Sequence, residues 1–168
     1  MQQSNTRTFE QGMGDDLWRR SLYTYWKRAA PPPSMMALDA PTREYCSPRR
    51  ITTNTPLQAL VLWNDPQFVE AARSTAERIM HDGDTDDERI ELLFQRCTGQ
   101  PPSPDITVAV QEILKEYRAR FEVDSEGALQ LISVGQSPRS DDLPPAELAA
   151  WTMLANAVLS SDAAIVKD

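Results

Sequence analysis

From Thr55 onward, apolar residues recur at helical spacing, and proline, glycine and aspartate punctuate them. Thr55-Pro56-Leu57-Gln58 places a cap residue, a proline at the first helical position and a glutamine three places after the cap. This capping-box pattern predicts a short apolar helix over 57–63. Asn64-Asp65-Pro66 stops that helix, and Asp65 caps the next, which should bury Phe68 or Val69, Ala72, Ala76, Ile79 and Met80. A further helix follows the acidic run at 84–88, with Ile90, Leu93, Phe94 and Cys97 on one face. Gly99-Gln100-Pro101-Pro102 reads as a turn. Ser103-Pro104 then opens a longer helix whose stripe is Ile106, Val110, Ile113, Leu114, Tyr117 and Phe121. A short helix is predicted over 125–134 and a polar loop over 136–143. Pro144-Pro145 opens the last helix, with Leu148, Trp151, Thr152, Ala155, Val158 and Leu159 as its face.

The first 54 residues read differently. Residues 1–14 are polar and aperiodic, and predict a disordered leader. Asp15 or Asp16 can cap a helix running to about Arg28. Its apolar residues fall on two faces, Trp18, Leu22 and Tyr25 on one, Tyr23 and Trp26 with Arg19 on the other. A helix apolar on two faces asks for cover on two sides. Pro31-Pro32-Pro33 ends it, and 34–53 shows no periodicity and predicts an extended segment. No window alternates with period two over any length. The expected fold is all-α: a small irregular helical bundle over 55–168, with an extended Pro/Arg-rich N-terminal arm over 15–54.

Charge sharpens this division. The chain has 168 residues and a net charge of −8. Residues 1–50 carry eight basic and five acidic side chains, whereas the rest carry nine and twenty. The first 50 residues hold only four of the chain's Leu, Ile, Val and Phe, against 30 in the remainder. The arm cannot build a core by itself, but its Trp, Tyr and Arg are the types that enrich contact surfaces. The acidic balance argues against nucleic acid as a partner. No apolar run reaches the length of a membrane span, and no leader of the secretory type opens the chain.

Few chemistries survive a count of ligands. Cys-x-x-Cys-His is absent, and one histidine, His81, with two cysteines 51 positions apart makes no zinc set. Neither haem, another cofactor nor metal is expected. Asp82, Asp84, Asp86, Asp87 and Glu88 lack the glycine and the closing acid of a calcium loop, and read as a solvated helix start. Ser21, Ser34 and Ser47 have no histidine near them in sequence. Asp39, Glu44 and Asp65 could supply a carboxylate pair, although Asp39-Ala40-Pro41 reads first as a turn and Asp65 as a cap. Cys46 and Cys97 suit either free thiols or, in an exported protein, a pair.

The candidate binding patch is therefore in the arm. Arg19, Arg20, Lys27, Arg28, Arg43, Arg49 and Arg50 place seven cations within 32 residues, interleaved with aromatics that include Trp26. Guanidinium forks hold carboxylates or phosphates and stack on rings. Two roles fit: pairing of the arm with the acidic bundle, or an external site for an anion or polyanionic glycan. The chosen residues are Arg19, Arg20, Trp26, Arg28, Asp39, Arg49 and Arg50; no catalytic residue is assigned.

The string from Arg19 to Arg28, then Pro31-Pro32-Pro33-Ser34-Met35, Asp39-Ala40-Pro41, Arg49-Arg50, Thr53 to Leu62 and Asn64 to Ala72 together carry a family pattern. Over roughly 17–166 the chain resembles the C-terminal domain of unknown function of large exported proteins that also carry planctomycete-type cytochrome C domains. It departs at the end, where that family tends to read Leu-Asn-Leu-Asp-Glu and this chain reads Leu159-Ser160-Ser161-Asp162-Ala163. The resemblance implies a longer parent polypeptide whose upstream domains are the partners, and a periplasmic or extracellular location. The expected function is a non-catalytic interaction or scaffolding module. A hydrolase-like site completed by upstream domains is the alternative, beside the anion or glycan module.

Overall fold

Proline sets the starts of five of the helices. In the computed structural model, which describes residues 8–46, 53 and 55–165, eight α-helices form and no strand does among those residues. They are α1 (Pro33–Ala37), α2 (Pro56–Asn64), α3 (Pro66–Asp82), α4 (Asp86–Thr98), α5 (Pro104–Val123), α6 (Ser125–Ile132), α7 (Pro145–Leu159) and α8 (Asp162–Ile165). The fold is the expected all-α bundle. Proline at the first helical position carries no N–H to orphan, and its fixed φ suits the helix. Caps complete the starts. Thr55 and Gln58 exchange backbone N–H bonds at 3.4 and 3.1 Å, forming the predicted capping box. Asp65 accepts from the Gln67 N–H at 2.9 Å, and Ser103 from the Ile106 N–H at 3.4 Å. Gly99 ends α4 at φ 80°, a left-handed value that favours glycine.

The chain divides into two compact units, Met1–Val61 and Leu62–Asp168. In the second, α7 is the central element and packs on α3, α4, α5, α6 and α8. Leu148 through Thr152, Leu154 through Asn156 and Val158 are all buried. The sequence predicted one apolar face for this helix; it is covered all round. Alanines at 149, 150 and 155 leave room for neighbouring backbones to approach. From α3 come Ala72, Ala76 and Ile79, from α4 Ile90 and Leu93, from α5 Leu114 and Phe121, and from α6 Ala128 and Ile132. The α5 stripe is narrower than expected, because Ile106 and Ile113 stay exposed while Val110, Leu114 and Phe121 are buried.

Two polar networks hold this unit. Arg118 on α5 grips the Asp86 carboxylate of α4 with both Nη groups, at 2.6 and 2.8 Å, and reaches Glu147 on α7 through Nε at 2.9 Å. Its bonds hold the Asp86 carboxyl below the usual carboxylate range. The second network straps residues 136–140 to α3. Glu70 accepts from the Gln136 and Ser137 N–H groups at 2.9 and 2.8 Å. Arg73 donates to Glu77 at 2.8 Å and to the Ser137 carbonyl at 2.8 Å, and Glu77 accepts from the Ser140 N–H at 3.1 Å. Glu70 and Arg73 are each only 1% exposed.

The first unit departs from the predicted arm. No α-helix spans 15–28; two 3₁₀ turns, Gly14–Trp18 and Ser21–Tyr23, stand there, with Arg19 extended between them. Aromatic and β-branched residues lose rotamer freedom in a helix, and so short a helix needs a packed face to survive. Here Trp18, Leu22, Tyr23 and Tyr25 are exposed. The segment after the proline run is also not wholly extended, because Pro33 opens the single turn of α1. Residues 8–13 have no regular structure, and 1–7 of the predicted leader lie outside the described residues.

Within 8–46, Pro32 alone is buried among the described residues. Local stability follows buried apolar contact. Limited proteolysis is therefore expected to cut first within 8–46 and to spare 136–140, whose backbone is bonded to α3. Mass analysis of the first fragments checks this; early cuts at 136–140 would refute it. Among the described residues no helix is long and apolar enough to cross a membrane.

Candidate functional site

The bends after Ser21–Tyr23 and around 39–44 bring Trp26 against Arg43. Arg43 and Asp39 take positive φ, 59° and 57°. Asp tolerates this conformation; for arginine it costs about 1 kcal/mol and is kept only where surrounding contacts fix it. Those contacts are visible. The Arg43 guanidinium lies 5.2 Å from the centre of the Trp26 ring and donates through Nη2 to the Ser21 carbonyl at 3.0 Å. Beside it, Arg28 Nε donates to Glu44 Oε1 at 2.9 Å. Tyr25, Trp26, Arg28, Thr42, Arg43 and Glu44 line an open cleft of about 560 Å³. The Tyr25 side of the cleft is wet, with that residue 80% exposed.

Of the residues chosen from sequence, Trp26 and Arg28 meet in this cleft. Arg19 instead forms an exposed pair with Asp16 at 3.0 Å. Arg20 precedes the second 3₁₀ turn, and its carbonyl accepts from the Tyr23 N–H at 2.8 Å. Asp39 belongs to a different cluster. It accepts from the Thr53 N–H at 2.7 Å, the Thr53 hydroxyl at 2.8 Å and Gln58 Nε2 at 2.9 Å. The Thr53 bonds, with Gln58, hold its carboxyl below the ordinary range. Arg49 and Arg50 lie outside the described residues. Arg43 and Glu44 were not among the chosen binding residues. Arg43 stood in the cation cluster and Glu44 among the carboxylates, but neither signal placed them against Trp26.

The remaining chemical candidates are bland. Cys46 is exposed and Cys97 half-buried, both as free thiols. Burial pushes the Cys97 thiol up to about 11, against a smaller opposing effect of Arg96, so it stays protonated at neutral pH. His81 ends α3 with Nε2 at 3.7 Å from Asp142, and both side chains are solvated. Among the described residues, no three His, Cys, Asp or Glu side chains gather in a way that could hold a metal ion.

Fold and site together define a small all-α protein with an aromatic, arginine-lined N-terminal unit. More particularly, the chain belongs to the PSD1 family, described as a protein of unknown function (DUF1553), whose model matches residues 1–114. The match stops within α5, short of the span to 166 expected from the resemblance. Neither curated proteins nor solved structures gave a match.

Proposed function

We propose that this chain is a non-catalytic α-helical interaction module of a larger exported, cytochrome C-associated protein, and that the first unit supplies its contact surface. The observation that carries this reading is the exposure of Trp18, Leu22, Tyr23 and Tyr45 in one stretch rich in arginine. Aromatic and arginine side chains dominate binding energy at protein contacts, and exposed apolar groups cluster where a partner covers them. Upstream domains of the same polypeptide are the partner. A hydrolase-like site shared with those domains is less well supported, because Asp39 is engaged by Thr53 and Gln58 and does not line the cleft with Glu44.

The full-length parent tests this. Nitration of Tyr23 and Tyr45, read by mass spectrometry, is expected to be several-fold slower in the parent than in this chain alone. Acrylamide quenching of Trp18 should fall in parallel. Equal rates in the two proteins would refute the reading.

A further inference from the structure

The cleft around Trp26 brings acceptor and hydroxyl groups together with aromatic and arginine side chains. It combines two guanidinium groups, one carboxylate, threonine hydroxyls and two aromatic rings on an open surface. The two arginines outweigh Glu44 by one positive charge, which suits a singly charged anion. The carboxylate matters as much as the arginines. Glu44 is an acceptor only, so it disfavours a phosphate or a dense polyanion and favours a ligand that also brings O–H donors. Arginine forks match a carboxylate in plane and in spacing. Ring C–H groups on one face of a sugar carry partial positive charge and suit the negative face of an aromatic ring.

The backbone supplies a second, independent observation. Arg43 is held in the left-handed region, at φ 59°, which a long side chain rarely occupies. The Ser21 carbonyl and the Trp26 ring fix its guanidinium at the cleft. Strained residues of this kind concentrate at ligand clamps, where the strain sets a group in place before binding.

We propose that this cleft binds a uronate-type saccharide, a sugar ring bearing a carboxylate. Arg43, already oriented, takes the carboxylate with help from Arg28. The exposed Tyr25 ring stacks on the sugar face. Glu44 and Thr42 take the ring hydroxyls. Trp26 acts as a positioning residue, because it holds Arg43. The site goes beyond the interaction role, and its failure would leave that role standing.

The test is titration of the full chain with methyl glucuronide, which carries one carboxylate, at low salt, followed by amide chemical shifts and tryptophan fluorescence. Saturable shifts are expected at 24–28 and 42–44, weakening as salt screens the exposed charges. Tyr25→Ala and Arg43→Ala should each weaken binding by roughly tenfold or more, the scale of one lost stacking or fork contact. Tyr25 is solvated, so its variant should keep the wild-type amide pattern over 62–165 and stays informative if Arg43→Ala disturbs the first unit. Maltotriose, hexaglutamate and acetate serve as comparison probes. Equal affinity for maltotriose would mean that no carboxylate is read, and would overturn the proposal. So would equal affinity for hexaglutamate, which would mark an acidic-peptide site instead. Shifts from acetate alone at the same concentration would indicate an adventitious ion only. Absence of binding, or unchanged binding in Tyr25→Ala, would also sink it.

Discussion

Replacing Trp151 with alanine is expected to destabilise the chain by about 3–5 kcal/mol, the usual cost of removing a buried aromatic and leaving a cavity. Trp151 sits in the middle of α7, wholly buried. The loss is also polar. Trp151 Nε1 donates to Glu147 Oε1 at 2.9 Å, and the Arg118 guanidinium lies 5.9 Å from its ring centre. Trp151 thus joins the apolar core to the carboxylate pair that Arg118 holds between α4, α5 and α7. A domain of this size is stable by only about 5–15 kcal/mol, so the variant should stand near the limit of folding. Urea denaturation followed by far-UV circular dichroism measures the effect. Trp151→Phe, which keeps most of the volume, should lose clearly less. A loss below about 1 kcal/mol in the alanine variant would mean that α7 is not the centre of the core.

Arg73→Met should cost about as much, roughly 3–5 kcal/mol, because it leaves a buried carboxylate uncompensated. Methionine preserves most of the packing volume, so the cost isolates the charge. Without Arg73, the Ser137 carbonyl loses its donor, Glu77 its ion-pair partner and Glu70 a nearby positive charge. Amide hydrogen exchange should rise at 136–140 before it rises in α3 or α7. Coupling distinguishes this account from a simple packing loss. Glu77→Gln combined with Arg73→Met should cost less than the two single changes added together, since the double variant removes both members of the ion pair. Additive losses would contradict the network.

The same network predicts an acid response. Burial pushes the Glu70 carboxyl up, but bonds from Ser137 and Gln136, with Arg73 nearby, outweigh it and leave the group below its ordinary range. A depressed carboxyl contributes stability that is complete above the unfolded group's pKa and is lost as pH falls through the folded value. Asp86, depressed chiefly by its bond to Arg118, acts in the same direction. Stability should therefore decline below about pH 4.5, the ordinary glutamate value, and Glu70→Gln should flatten part of that decline.

Much of the bundle was legible because its signals are local. A cap, a proline at the first turn and a glycine at the end act on backbone groups within three or four residues. Thr55, Asp65, Ser103 and Gly99 therefore mark their helices wherever these lie in the fold. The core positions Ala72, Ala76, Ile79, Ile90, Leu93, Leu114 and Phe121 were legible for the same reason, since helical spacing alone puts them on one side.

Other features depend on what arrives from far along the chain. Periodicity over 15–28 allowed a helix, but a helix of that length persists only against a packed face, and the exposed Trp18, Leu22 and Tyr25 have none. Ile106 and Ile113 fit the α5 stripe, yet they lie beyond the width that its neighbours cover. Glu70 and Arg73 look like solvated charges in the sequence. They are buried because a segment more than 60 residues away supplies the N–H groups and carbonyls that they need. Tertiary structure alone also selected Arg43 and Glu44 from among the arm's charges and placed them beside Trp26 and Arg28. The sequence by itself determined where helices begin and which class of fold they make, because backbone capping and side-chain spacing are short-range. Tertiary structure decided which faces are covered and which charges are paired, because desolvation and ion pairing depend on the groups that the rest of the chain brings near.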